Sequence, residues 1–247
     1  MVNRKLIFSG EDQYTKLEVF DTRTLRNLHF GTSIIQSSMF LQDPYELEME
    51  YNQVMMLALL YHSSPQSALF LGLGGGSMPK FLWRYFPKIQ QHTVEISPLV
   101  IQTAKKFFLL PEDNRLSNEC ISAEKYMEKV FLDTFDLIFV DLFLSNQMAK
   151  APIDPEFFIS CKERLNEGGI LVWNVWSSTP PHLLVESFQQ IKSLFENVFL
   201  VQVEESPNLI LIGMEKSGTI DLENRAKELT AQTGLDFAKL MKKKKIT

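Results

Sequence analysis

Residues 67–95 read SALFLGLGGGSMPKFLWRYFPKIQQHTVE, and the order of residue types in that stretch decides the fold. An apolar run over 68–73 ends in the cluster Gly72-Leu73-Gly74-Gly75-Gly76. Helix-compatible residues follow over about 77–85, and a second apolar segment closes on the acidic Glu95. A buried strand, a glycine turn, a helix and a second strand ending in a carboxylate make the first half of a nucleotide-binding α/β sheet. Glycine lets the backbone turn sharply and approach a ligand with no Cβ in the way. The carboxylate is placed to accept hydrogen bonds from a ribose diol. Ser77 stands where the dinucleotide fingerprint wants glycine, and no Gly-Lys-Ser/Thr ending follows, which sets aside a loop for nucleoside triphosphates.

The chain around this stretch has 247 residues, enough for one large core with a small appended piece. With 45% hydrophobic and 22% charged residues, it is globular rather than disordered material. A formal net charge of -5 and an isoelectric point near 5.5 argue against nucleic acid as the main partner. Cys120 and Cys161 are the two cysteines, which offer neither a disulfide framework nor a zinc cluster and are expected as core thiols. The histidines at 29, 62, 92 and 182 lack His-x-x-x-His spacing, so no metal site is expected by pattern. The N-terminus turns polar too early for a signal peptide, and no apolar run approaches the roughly 20 residues needed to span a bilayer. The expectation is a cytoplasmic protein with no membrane partner.

Before the glycine stretch, short strands are expected over 5–8, 16–20, 25–30 and 33–36, forming a small N-terminal β domain over 1–42. Residues 43–62 carry apolar side chains near helical spacing, so 43–64 is expected as one connecting helix closed by Ser63-Ser64-Pro65. After it, strands alternate with helices. Strands are expected over 68–73, 92–95, 115–120, 135–141 and 170–175, with helices over 77–85, 98–108, 123–130, 155–165 and 181–194. Two final strands over 198–203 and 209–214 lie close enough to pair as a hairpin. This succession implies a mostly parallel, doubly wound sheet over 65–216 with an antiparallel edge. Residues 217–247 are expected as a helical tail ending in a solvated basic run, Lys242 to Lys245.

Ligands of open α/β sheets collect beyond the carboxyl ends of the strands. That rule gathers the glycine cluster, Glu95, Ser122, Asp141 and Asn174 around one crevice. Asp141 closes the apolar strand FDLIFVD, and a carboxylate there can cap the next segment or orient a cationic or amine substrate and accept its proton. An acidic crevice suits a ligand carrying a positive sulfonium.

Several pieces together resemble the spermidine synthase (polyamine aminopropyltransferase) family, and especially its bacterial spermidine-synthase-like branch. They are Gln36-Ser37-Ser38, Tyr51 through Met55-Met56, LFLGLGGGSMPKFLWRYFP, VEISPLVIQTAKKFF, LPEDNRL, FDLIFVDLF and EGGILVWNVW, in order along residues 12–214. The resemblance implies a small β domain joined to a methyltransferase-like Rossmann domain, in a homodimer or homotetramer. It implies that Gly72, Gly74, Gly75, Gly76, Glu95, Gln36 and Ser122 hold an adenosyl ligand. That ligand would be S-adenosylmethionine or its decarboxylated form, a donor substrate with no tightly bound cofactor beside it. Asp141 corresponds to the first carboxylate of the family's Asp-x-x-Asp motif, which helps deprotonate an attacking amine. The chain departs from the pattern at Leu144, in place of the second carboxylate, at Tyr14-Thr15, in place of a Tyr-Gln pair, and at Ser122, in place of aspartate. Aminopropyl transfer to an amine is the first expectation. Methyl transfer from S-adenosylmethionine and a non-catalytic adenosyl-binding or assembly role stay open beside it.

Overall fold

A computed structural model describes residues 4–129, 133–144, 147–148, 155–176, 180–204, 206–215, 220–243 and 245–246. Four strands come first: β1 (Lys5–Glu11), β2 (Lys16–Asp21), β3 (Leu25–His29) and β4 (Ile35–Phe40). They pair in sequence order as an antiparallel sheet. One face of it lays Leu17, Val19, Leu28 and Met39 against Val100, Ala104 and Phe108 of a later helix, so the small sheet shares its core with the main domain.

Two short helices follow, α1 (Glu50–Met55) and α2 (Ala58–Tyr61), where one connecting helix over 43–64 is expected from the sequence. The helix cannot begin earlier because Asp43 and Pro44 form a turn, with the Tyr45 amide donating to Asp43 Oδ1 at 3.1 Å. The Gln53 side-chain amide ties Leu47 O at 2.7 Å, which fixes the incoming chain. Between α1 and α2 the amides of Leu57, Leu59 and Leu60 bond three residues back, a 3₁₀-like junction. Every residue from 54 to 60 is fully buried. Such a segment has no wet face, so helical periodicity is a weak guide to it.

The main sheet uses β5 (Ser67–Leu71), β6 (Gln90–Glu95), β7 (Leu116–Cys120), β8 (Phe135–Val140), β11 (Leu165–Trp176), β12 (Asn197–Gln202), β13 (Asn208–Met214) and β14 (Lys245–Ile246). A two-residue pair, β9 (Phe143–Leu144) with β10 (Gln147–Met148), stands apart as its own small sheet. The spatial order is β14-β12-β13-β11-β8-β5-β6-β7. Strands β7, β6, β5, β8 and β11 run parallel, and β13 is antiparallel to both its neighbours. This is the doubly wound sheet of methyltransferase-like proteins, with the hairpin at its edge.

One face of the sheet packs on α1, α2, α3 (Ser77–Tyr85), α8 (Leu222–Thr233) and α9 (Phe237–Met241). The other packs on α5 (Ala123–Met127), α6 (Pro155–Glu163) and α7 (Pro181–Leu194). Helix α4 (Pro98–Phe108) carries the small sheet. It begins with Ser97 Oγ accepting the Val100 amide at 3.1 Å, has Pro98 in its first turn, and ends on Lys105 and Lys106. Each of these features favours its terminus.

Strand β11 is longer than expected, because Asn166 to Gly169 form a bulge between Leu165 and Ile170 rather than a separate turn. The basic tail is also not simply solvated. Lys243 is only 8% exposed and pairs with Glu50 and Glu204, and β14 adds a strand to β12. The burial of Leu229, Phe237 and Leu240 beside α2 carries the chain back to the sheet. Lys244 and residue 216, the expected end of the main domain, lie outside the described residues, as does Val130 at the expected end of α5.

Candidate functional site

Strand register alone places the candidate residues in a row. Leu71 of β5 pairs with Val94 of β6 on one side and with Val140 of β8 on the other. The next residues along the three strands are therefore Gly72 at the centre, with Glu95 on one side of it and Asp141 on the other. Two ladder bonds confirm it, from the Gly72 amide to Val94 O and from the Asp141 amide to Leu71 O, both at 2.9 Å. Trp173 pairs with Val140, which sets Asn174 beside Asp141, and Glu95 pairs with Cys120, two residues before Ser122. Strand order reverses between β5 and β8, the position at which such sheets open a crevice. A cavity of about 400 Å³ lies there, lined by Gln36, Gly72, Gly74, Glu95, Ser122 and Asp141 among others.

The glycine cluster divides into two parts. Gly72 has φ +95°, and a Cβ there would lie 2.1 Å from the carbonyl oxygen of Asp141. Only glycine lets these two strand ends come together. Gly74 also lines the cavity. Gly75 and Gly76 do not, and both are held by packing. The Gly75 amide donates to Ser37 Oγ at 2.8 Å, and a Cβ on Gly76 would meet Leu110 at 2.6 Å. The small sheet thus reaches under the glycine loop through Ser37, the residue after Gln36.

Glu95 is half-buried, and both its oxygens are engaged: Oε2 accepts the Leu73 amide at 3.1 Å and Oε1 the Ser97 amide at 3.0 Å. Burial pushes its carboxyl above the ordinary glutamate value, partly offset by those amides, while nearby Asp12 adds to the rise. Asp12 sits in the turn between β1 and β2. It accepts the Ser97 hydroxyl at 2.6 Å and so fixes the residue that fixes Glu95. Each carboxylate oxygen of Glu95 keeps lone-pair capacity for a diol.

Asp141 is held from two sides. Asn174 Nδ2 donates to Oδ1 at 2.8 Å, and Tyr51 Oη donates to Oδ2 at 3.2 Å. Burial raises the Asp141 carboxyl above its ordinary value, and the two donors hold the rise in check. The Tyr51 phenol is pushed well above its usual range by burial and by the charge of Asp141, so it stays protonated and keeps donating. A half-buried carboxylate that accepts from neutral donors and has a raised pKa is a better proton acceptor than a fully exposed one. Among the described residues the lining carries Glu95, Glu124 and Asp141, and no lysine, arginine or histidine. Such a cavity favours cations.

Ser122 caps α5 through its hydroxyl, which accepts the Lys125 amide at 3.3 Å, and also lines the cavity. Leu144 lies in β9, and Tyr14 is 40% exposed in the β1–β2 turn. The sequence reading quotes Ser37 and Tyr51 within pieces that carry the family resemblance but gives them no role, and it passes over Asn208. For Asn208 a signal existed, since an amide opens the otherwise apolar strand NLILIGM. No local signal marks Ser37. Among the described residues, no group of three His, Cys, Asp or Glu is arranged to hold a metal ion, and no helix is long and apolar enough to cross a membrane.

Comparison with known proteins gives the family and the fold. The spermine/spermidine synthase domain pattern matches residues 48–226. A polyamine aminopropyltransferase of Chromobacterium violaceum is 32% identical, with 99% of this chain and 95% of the relative aligned. One from Neisseria meningitidis is 33% identical over 92% of this chain and 88% of its own length. The crystal structure of a probable spermidine synthase from Corynebacterium glutamicum superposes with a TM-score of 0.77 at 20% identity, covering 91% of this chain and 86% of that one. The chain belongs to the spermine/spermidine synthase family.

Proposed function

We propose that the protein transfers an aminopropyl group from decarboxylated S-adenosylmethionine to an amine. The observation that carries the choice of donor is the charge of the cavity: three carboxylates and no basic side chain among the described lining residues. The decarboxylated donor brings a sulfonium and an ammonium, both cationic. Ordinary S-adenosylmethionine would add a carboxylate to an already acidic site, which like-charge repulsion disfavours. Polyamine aminopropyltransferases among the relatives support the same assignment.

In this reading Glu95 accepts the ribose hydroxyls, while Gly72 and Gly74 let the donor approach the backbone. Gln36 and Ser122 flank it. Gly75 and Gly76 keep the loop in shape from behind. Asp141 orients the acceptor. The amine nitrogen attacks the methylene carbon next to the sulfonium sulfur and a C–N bond forms. The C–S bond breaks with its electron pair moving to sulfur, which leaves neutral methylthioadenosine. The nitrogen's proton goes to Asp141. Alignment and proton removal are the two contributions the residues supply. No tightly bound cofactor enters the step. The family resemblance supports a homodimer or homotetramer, and the polar N-terminal sequence without a long apolar run supports a cytoplasmic location.

The test presents purified protein with each donor and a panel of amines, with products followed by mass. Amine-dependent methylthioadenosine from the decarboxylated donor is expected. Amine-dependent S-adenosylhomocysteine from S-adenosylmethionine would instead assign methyl transfer.

A further inference from the structure

Asp141 stands at one end of a chain of side-chain hydrogen bonds that crosses three strands. Asn174 on β11 is 1% exposed and presents its amide nitrogen to Asp141. On its other side, Asn174 Oδ1 accepts Nδ2 of Asn208 on β13 at 2.9 Å. Asn208 Oδ1 in turn accepts the hydroxyl of Ser206, in the turn between β12 and β13, at 2.5 Å. The backbone N–H of Asn208 also donates to Ser206 Oγ at 3.3 Å. An amide offers a donor on one side and an acceptor on the other, so each partner in such a chain dictates the next one's orientation.

We propose that Asn208 is a positioning residue for Asp141: by accepting from Ser206 and donating to Asn174, it keeps the nitrogen of Asn174, and not its oxygen, turned toward the carboxylate. The proposal rests on the reading of Asp141 as the group that receives the amine's proton. With the chain intact, Asp141 meets two donors, Asn174 from β11 and Tyr51 from α1. Tyr51 is the titratable group bonded to it. Glu95 and Glu124 line the same cavity, and neither is bonded to Asp141. An Asn174 that has lost its partner has a buried oxygen without a donor and turns to find one, which weakens or removes its bond to Asp141. Tyr51 alone then offsets burial, and the carboxyl's affinity for protons rises. The ionised fraction of Asp141 then falls at any given pH, so the pH below which turnover is lost moves upward with little change in donor affinity.

The chain is tested by titrating the Asp141 carboxyl directly, by ¹³C NMR of protein labelled at aspartate, with its signal identified by its loss in Asp141→Asn. This readout needs no turnover. Asn208→Leu, which introduces no charge, is expected to raise the Asp141 pKa by about one unit, the size expected from losing one charge-assisted bond. Asn208→Asp is expected to raise it further, because a carboxylate there competes for the Asn174 amide. Ser206→Ala, at the hairpin turn, should give a smaller shift of the same sign, and it decides the matter if Asn208→Leu does not fold. A folded Asn208→Leu whose Asp141 titrates as in the parent overturns the proposal, as does an unmoved Asp141 in both other variants. If the shift is seen and no aminopropyl transfer is found, the chain of bonds stands and the assigned reaction falls. Transfer without the shift has the reverse meaning.

Discussion

The close approach of two strand ends at Gly72 can be tested with one added methyl group. In Gly72→Ala the new Cβ would lie 2.1 Å from the Asp141 carbonyl oxygen and 2.9 Å from the carbonyl carbon. Both atoms belong to backbone, which a side-chain rotation cannot move. At φ +95° an L-residue adds its own conformational cost, about 1–2 kcal/mol. Overpacking a close-packed site costs about 1–3 kcal/mol more. Opening β5 from β8 also strains the 2.9 Å bond from the Asp141 amide to Leu71 O, worth about 1 kcal/mol. The expected loss is about 3–6 kcal/mol, a large part of the stability of an ordinary domain. Gly168 supplies the control. Its φ is +74°, and nothing lies within 4 Å of a Cβ there, so Gly168→Ala carries the conformational cost without the clash. Urea unfolding of the three proteins separates the two effects. Gly72→Ala should lose at least about 2 kcal/mol more than Gly168→Ala. What folded protein remains should also turn over about a hundredfold more slowly, since Asp141 is displaced by an ångström or so. Equal losses in the two variants would refute the claim that the strand ends are in contact at Gly72.

Two further outcomes follow from the same geometry. Glu95→Ala should weaken binding of decarboxylated S-adenosylmethionine and of methylthioadenosine about ten- to a hundredfold by calorimetric titration, and unchanged affinity in a folded variant would remove Glu95 from the ribose role. Lys80 is 1% exposed, and its ammonium donates to Phe108 O at 2.7 Å, with burial lowering its pKa to about 7. Since the unfolded chain holds that proton up to about pH 10.4, stability should rise with pH between about 7 and 10. Lys80→Met should flatten the rise, measured as the difference in unfolding free energy between the two proteins across that window. Parallel curves would show that Lys80 does not titrate there.

Much of the site was legible because its parts are local. A glycine turn after an apolar strand, a carboxylate at the end of the next strand and another after FDLIFV are all sequence patterns. Parallel register brings such strand ends together without further information. The supporting residues were not legible, because they arrive from elsewhere in the chain. Ser37 is 38 residues from the Gly75 amide it accepts, and Tyr51 is 90 residues from Asp141. Periodicity carries no record of such contacts. The connecting segment over 43–64 differs from its expected single helix for a related reason: residues 54–60 are buried on every side, so apolar spacing does not reveal where the helix breaks. Gly75 and Gly76 belong to the right loop, but their environment is Ser37, Phe108 and Leu110 rather than the cavity.

The most direct test of the central claim compares the parent protein with Asp141→Asn, given decarboxylated S-adenosylmethionine and an amine. Methylthioadenosine is measured over time, and donor affinity is measured in parallel. Asparagine keeps the shape and can still bond Tyr51, but it cannot take a proton. Amine-dependent methylthioadenosine formation is expected from the parent, and Asp141→Asn should slow it by about 10²–10⁴ while donor affinity stays within a few-fold. Amine-dependent turnover that survives Asp141→Asn at the parent rate would contradict the role of Asp141.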